Sequence, residues 1–107
     1  MSAKSHAFQV DYAVEHGVSK AIIIANIHFW LTQNRKHERN ARDGFYWTYS
    51  SASEYAKLFP YFKPNSIGKW LRELEEVGVL VSANYNRSAY DHTKWYTMPG
   101  EFAIELE

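Results

Sequence analysis

The chain has 107 residues, the length of a single domain, and its 46% hydrophobic and 17% aromatic content excludes an intrinsically disordered protein. It contains no cysteine, which excludes a disulfide framework, a thiolate zinc site and a cysteine nucleophile. Twelve Lys and Arg residues balance twelve Asp and Glu residues, and a net charge of zero argues against a strongly basic nucleic-acid binder.

No segment of the sequence predicts a signal peptide or a membrane span. The first ten residues lack a long apolar run, and the longest apolar-rich stretch, residues 21–31, is too short to cross a bilayer. We therefore expect a soluble, cytoplasmic protein with one domain over residues 1–107, in which residues 1–7 and 99–107 are flexible tails. The charges are unevenly placed, with a basic loop at residues 35–42 and an acidic C-terminal end.

Two helices are predicted at the N-terminal end of the chain. Asp11 can cap a short helix that runs through Glu15, and Gly17 can provide a left-handed exit from it. Ser19 can cap a second helix over residues 20–34, which is apolar on almost every side, so we expect this helix to be buried all round. Its apolar surface is more than a few small elements can cover, which predicts a homodimer formed through the N-terminal helices.

The middle of the chain carries a turn signal, a strand and a short capped helix. The Asp-Gly pair at 43–44 precedes residues 45–49, whose alternation of aromatic with smaller residues predicts a strand. Ser51 and Glu54 have the spacing of a capping box at the start of a helix, and Pro60 must end this helix at the residue before it.

The last third of the chain predicts a helix followed by a hairpin. Pro64 suits the first position of a helix over residues 64–77, and Gly78 ends it. Two strand-like runs at residues 79–85 and 92–98 flank a polar loop and predict the hairpin. One face of the helix is apolar and is expected in the core, and it carries Ile67, Trp70, Leu71, Leu74 and Val77.

The order of these elements is helix, helix, strand, short helix, turn, helix and hairpin. It predicts the α+β fold class, as a winged helix-turn-helix with an extra N-terminal helix and a small antiparallel sheet. The four tryptophans each lie on an apolar face of a predicted element, so we expect all four in the core: Trp30, Trp47, Trp70 and Trp95.

No constellation of residues predicts an enzyme, a metal site or a cofactor site. Gly68-Lys69 lacks the upstream glycine and the following Ser or Thr of a phosphate-binding loop. The five histidines do not have the spacing of metal ligands, and His28, inside the apolar helix, is expected to be a hydrogen-bonded core residue.

The outer face of the 64–77 helix is the best candidate for a binding surface. Its polar side chains can reach base edges or phosphate, and arginine can bind guanine bidentately in the major groove. Any amphipathic helix places charge on its solvent face, so for the helix alone the two interpretations have equal weight. The hairpin favours DNA binding because it adds contacts from its loop and its second strand. The predicted DNA-binding residues are Asn65, Ser66, Lys69, Arg72, Arg87, Tyr90 and Lys94.

Four stretches of the sequence resemble the N-terminal winged-helix domain of phage and plasmid replication initiators, the DnaD-like initiators. They are AIIIANIHFWL (21–31), DGFYWTY (43–49), FPYF (59–62) leading into IGKWLRELEEVGVL (67–80), and NYN (84–86) followed by YDHTKWYT (90–97). The resemblance covers about residues 8–98, and its most specific part is Asp91-x-Thr93-Lys94-Trp95-Tyr96. It implies a DNA-binding, self-associating module. In the family this domain is followed by a C-terminal region that engages DNA or the host replisome. The present sequence ends at Glu107, either as a stand-alone unit or as a fragment.

The sequence therefore predicts a non-enzymatic module that binds double-stranded DNA in the initiation of phage or plasmid replication or in its regulation. A host replication protein is a further partner that the resemblance implies. Two alternatives stay open. One is a small transcriptional repressor with the same DNA contacts, and the other is a protein-interaction module that binds a host protein, which zero net charge and an acidic end would suit.

Overall fold

The computed structural model describes residues 5–104. Within them the chain forms four helices and two small antiparallel sheets, so the predicted α+β class is confirmed. In chain order the elements are α1 (Val10–His16), α2 (Val18–Lys36), β1 (Ala41–Arg42), β2 (Phe45–Tyr46), β3 (Thr48–Tyr49), α3 (Ala52–Leu58), α4 (Pro64–Glu76), β4 (Val81–Ala83) and β5 (Trp95–Thr97).

The two N-terminal helices are present and Gly17 ends the first as predicted, but their predicted N-caps are wrong. Asp11 lies inside the first turn of α1, whose N-cap is Gln9. Ser19 lies inside α2, because Gly17 occupies the N-cap position with a φ of 92° that favours glycine. The same Gly17 is the C-cap of α1, so one residue of positive φ both ends the first helix and starts the second.

The predicted strand over 45–49 is interrupted at Trp47 and becomes β2 and β3. The Trp47 backbone N–H donates to the carbonyl of Asn40 at 3.1 Å, and its indole N–H donates to the carbonyl of Arg42 at 2.8 Å. These bonds hold Trp47 against the β1–β2 hairpin, an element within the predicted basic loop. Asp43 and Gly44 connect the hairpin, and both have the positive φ that a two-residue turn of this type requires.

The second sheet joins the hairpin at the end of the chain to the middle of the chain. Its strand order is β3-β5-β4, so β5 is the central strand and pairs antiparallel with both neighbours. Tyr96 in β5 pairs with Thr48 on one side and with Ser82 on the other. The predicted hairpin is confirmed, with strands shorter than the runs at 79–85 and 92–98.

The helices α3 and α4 begin and end where local sequence signals place them. Ser51 and Glu54 form both hydrogen bonds of the predicted capping box, and α3 ends two residues before Pro60. Pro64 opens α4 as predicted, and Gly78, with a φ of 83°, follows its C-terminal end. Val77 is the C-cap of α4 and is 64% exposed, so its predicted place in the core is wrong.

The core lies between α2, α3, α4 and the β3-β5-β4 sheet. Its largest fully buried apolar side chains are Phe59, Phe102, Ile23, Ile24, Ile27, Leu31, Ile67, Leu74 and Leu80. Trp47 and Trp95 are buried as predicted, and Trp70 is partly buried against the same core.

The surface of α2 corrects the prediction that this helix is buried on all sides. Phe29 is 52% exposed and Trp30 is 43% exposed, so Trp30 is not the core residue that its position in an apolar run predicted. His28 is half-buried at the edge of the core, where its Nε2 atom lies 2.8 Å from the Glu101 carboxylate. An apolar strip of α2 therefore remains at the surface of the described chain.

Residues 99–104 are not the flexible tail that the sequence predicted. Phe102 is fully buried, and its carbonyl accepts a hydrogen bond from the Tyr46 N–H at 3.1 Å. Ala103 forms a β-bridge with Phe45, which attaches the segment to β2. At the other end, residues 5–7 of the predicted N-terminal tail are exposed. The remaining predicted tail residues, 1–4 and 105–107, lie outside the described part of the chain.

Candidate nucleic-acid interface

Helix α4 has one face in the core and one face in solvent. Ile67, Leu71 and Leu74 are buried. Lys69 and Arg72 are both exposed on the opposite face. They lie side by side there because residues three apart on a helix share one side. The predicted site residues at the start of the helix are also accessible, with Asn65 exposed and Ser66 partly exposed.

Two of the three acidic side chains on α4, Glu73 and Glu75, have partners within the molecule, and Glu76 at its end is exposed. The Glu73 carboxylate lies 2.7 Å from the Lys20 ammonium on α2 and 3.9 Å from that of Lys69. The hydrogen bond from Lys20 lowers the pKa of Glu73, which keeps this carboxylate ionised. Glu73 is therefore directed toward α2, and Lys69, with 70% of its side chain exposed, stays open to solvent.

The hairpin is tied to α4 through one carboxylate. Glu75 accepts a hydrogen bond from the Ser82 hydroxyl in β4, and its other oxygen lies 3.0 Å from the Lys94 ammonium. Lys94, a predicted DNA contact, is thus placed beside the helix with half of its side chain exposed. These contacts fix the hairpin and α4 relative to one another.

The hairpin loop is held by the side chain of Asn86, which belongs to the NYN stretch at 84–86 and for which the sequence predicted no role. The Asn86 amide donates to the carbonyls of Asp91 at 3.0 Å and Thr93 at 2.7 Å, while its oxygen accepts from the Trp95 indole at 2.8 Å. An Asn-rich loop ahead of a buried tryptophan is the signal that could have identified this clamp. The Thr93 backbone N–H also lowers the pKa of Asp91 by hydrogen bonding to its carboxylate.

Arg87 and Tyr90 project from the tip of this ordered loop. Arg87 is exposed, and Tyr90 is 92% exposed, the highest value among the large apolar side chains described. The structure also has a cleft between α3, α4 and the approach to β5, and neither Arg87 nor Tyr90 lines it. The predicted site is therefore divided into a group on α4 with Lys94 beside it and a second group at the loop tip.

A cleft of about 290 Å³ opens between α3, α4 and the approach to β5. Its walls combine apolar side chains of the two helices with polar groups from the hairpin. The lining residues are Ser50, Ser51, Ala52, Tyr55, Pro64, Ile67, Gly68, Leu71, His92, Thr93, Lys94 and Tyr96. Burial is the main cause that raises the pKa of Tyr96 to about 12, and the nearby Glu75 carboxylate is the second. The Tyr96 hydroxyl therefore stays protonated at neutral pH.

The described residues lack two further features, a cluster of metal-ligating side chains and a membrane-spanning helix. Over residues 5–104, no group of three or more acidic or histidine side chains is placed to hold a metal ion. None of the helices described there has the length and apolar character needed to cross a bilayer. Comparison with protein-family models, curated proteins and solved structures gives no match to this chain.

Proposed function

We propose that this chain is a winged helix-turn-helix module that binds double-stranded DNA in the initiation of phage or plasmid replication. The observation that carries the DNA-binding proposal is the exposed pair Lys69 and Arg72 on α4, beside the hairpin that Glu75 ties to the same helix. The replication role rests on the sequence resemblance. A transcriptional repressor would use the same protein–DNA contacts.

The dimensions of α4 support its role as the recognition helix. With 13 residues it is about 20 Å long, and a major groove about 12 Å wide admits a helix of this kind. In this arrangement Asn65, Ser66 and Arg72 contact base edges, and Lys69 contacts phosphate. Arg87 and Lys94, from the hairpin, contact the backbone, since phosphate contacts position a protein without reading sequence.

The exposed strip on α2 supports a homodimer formed through the N-terminal helices. Phe29 and Trp30 pack edge to face, with ring centroids 5.3 Å apart, and both rings are about half accessible. Exposed apolar patches of this kind mark interaction surfaces in soluble proteins. A two-fold dimer would present two α4 helices to a repeated or palindromic site. The same strip would serve a host protein partner, as the alternative function requires.

The experiment is a titration of labelled duplex DNA followed by fluorescence anisotropy at several salt concentrations. We expect the double variant Lys69→Ala/Arg72→Ala to lose about tenfold or more in affinity. Each lost phosphate contact should lower the slope of log affinity against log salt by about 0.9.

Lys36→Ala/Arg39→Ala is the matched control, since it also removes two exposed cationic side chains. Lys36 lies at the far end of α2, about 24 Å along the helix from Lys20, which contacts α4 through Glu73. We expect the control to change affinity by less than about twofold, because it leaves the proposed contact face of α4 intact. No binding by the parent at low salt, or an equal loss in both variants, would overturn the proposal and favour a protein partner.

A further inference from the structure

The cleft between α4 and the approach to β5 has the chemistry of a small binding site rather than of a packing defect. Ile67 and Leu71 give it an apolar wall, while the side chains of Tyr55 and Tyr96 contribute phenol groups on another side. Both tyrosines are about 95% buried. A volume of about 290 Å³ is at the lower limit of ligand pockets, which suits one planar ring and not an extended ligand.

The rim of the cleft carries basic groups. His92 and Lys94 line it directly. Arg72 lies at its edge, because a methyl group placed on Gly68, in the cleft wall, would be 3.6 Å from the Arg72 Nη1 atom. Glu75 lies 3.0 Å from the Lys94 ammonium and offsets one positive charge, so Arg72 and Lys94 together leave an excess of one at the rim, where half of the Lys94 side chain stays exposed. The mouth of the cleft is therefore suited to an anion, and its interior to an uncharged ring with polar edges.

We propose that this cleft holds one unpaired nucleotide of the bound DNA, with its base between the apolar wall and the tyrosines and its phosphate at the rim near Lys94. This inference rests on the proposed DNA binding, since the cleft adjoins the exposed face of α4. The combination fits a nucleotide because every base has an apolar face and a hydrogen-bonding edge. The Tyr96 hydroxyl remains protonated and can donate to a base carbonyl or ring nitrogen.

Gly68 has no side chain, which leaves space in the cleft. A larger residue at this position would fill that space and so test whether the cleft binds a nucleotide. Gly68 lies inside α4, its φ is not positive, and an added Cβ would make only an ordinary contact. Gly68→Leu should therefore fold and fill the cleft. Gly68→Ala is the matched control, since it makes the same change to the backbone with a much smaller volume.

The measurement uses three labelled duplexes of one sequence, compared by fluorescence anisotropy. One is fully paired, one carries a single bulged thymidine, and one carries an abasic bulge at the same position. We expect the parent and Gly68→Ala to bind the thymidine bulge about tenfold more tightly than the other two. In Gly68→Leu this preference should disappear. The added side chain also meets Arg72, so any loss of affinity for the paired duplex should be matched by an equal loss for the abasic bulge, and the test is the ratio between the bulges.

The outcomes separate this inference from the proposed function. A parent that binds no duplex at all refutes the proposed DNA binding. A parent that binds the paired duplex but treats the two bulges alike refutes only the nucleotide cleft, as does a preference that survives in Gly68→Leu. Thymidine monophosphate is added as competitor, and if it matches the affinity of the bulged duplex and loses it in Gly68→Leu, the cleft takes free nucleotides and the DNA assignment is wrong.

Discussion

The segment after β5 provides the clearest test of the fold, through the substitution Phe102→Ala. Phe102 is fully buried, and its ring meets the His28 ring edge to face at 5.2 Å and the Arg35 guanidinium at 4.7 Å. Its backbone N–H also donates to the Met98 carbonyl at 3.0 Å, which turns the chain back toward the core. Alanine would keep the backbone bond and remove every ring contact.

The expected cost is large for a domain of this size. Truncating a buried phenylalanine to alanine costs about 3–5 kcal/mol in lost burial and in the cavity left behind. A typical domain has about 5–15 kcal/mol of unfolding free energy, so Phe102→Ala should remove a major fraction of it. For a chain near 100 residues each kcal/mol shifts the melting temperature by about 4 °C or more, which predicts a fall of at least about 12 °C.

Thermal and urea unfolding followed by circular dichroism will measure this effect, with Tyr90→Ala as the control. The control removes an aromatic ring from a side chain that is 92% exposed and outside the proposed dimer strip, so we expect it to cost less than about 1 kcal/mol. Equal melting temperatures for the two variants would refute the placement of residues 99–104 in the core.

Three further predictions test other parts of the molecule. Trp70→Ala should lower the free energy of unfolding by about 2–3 kcal/mol, less than the loss of a fully buried tryptophan, because the Trp70 ring is only partly buried. An unchanged melting temperature together with lost DNA binding would place Trp70 in the interface instead. The Ser51 N–H lowers the pKa of the Glu54 carboxyl below its ordinary 4.5, so the charge of Glu54 stabilises the fold above that pH, and this contribution is lost as the pH falls through the lowered pKa. The stability difference between the parent and Glu54→Gln should therefore be larger at pH 7 than in acid, where Glu54 is protonated, and a difference independent of pH would contradict this. The double variant Phe29→Ser/Trp30→Ser should be monomeric by light scattering at concentrations where the parent is a dimer, and a monomeric parent would refute the dimer.

The elements that could be predicted from sequence are those set by local chemistry. The capping box of α3, Pro64 at the start of α4 and the Asp-Gly turn at 43–44 each depend on backbone hydrogen bonds or φ values within a few residues. The hairpin followed from two apolar runs on either side of a polar loop. Such signals act within a few positions of the chain, so tertiary packing did not change them.

Apart from the N-caps of α1 and α2, which Gln9 and Gly17 occupy, the features that were predicted wrongly depend on contacts between distant residues. Phe102 stands in a short polar context with no periodic pattern, and its burial results from pairing with β2, about 57 positions earlier. Trp30 belongs to an apolar run, but β3 and α3 only border its ring, and 43% of the residue stays exposed. The cleft at Gly68 arises from side chains that meet only when the hairpin lies against α4. The Asn86 clamp, by contrast, forms within the hairpin loop, between groups at most nine positions apart.

A net charge of zero does not rule out the proposed DNA binding, because acidic and basic groups differ in what they contact. Glu73 is engaged by Lys20, Glu75 by Lys94, and Glu101 by His28, so these carboxylates face neighbouring elements. At about 0.1 M salt a DNA phosphate responds to charges within about 10 Å, not to the sum over the molecule. The proposed contacts therefore need a locally basic surface only around Lys69 and Arg72, ahead of the exposed Glu76 at the end of α4.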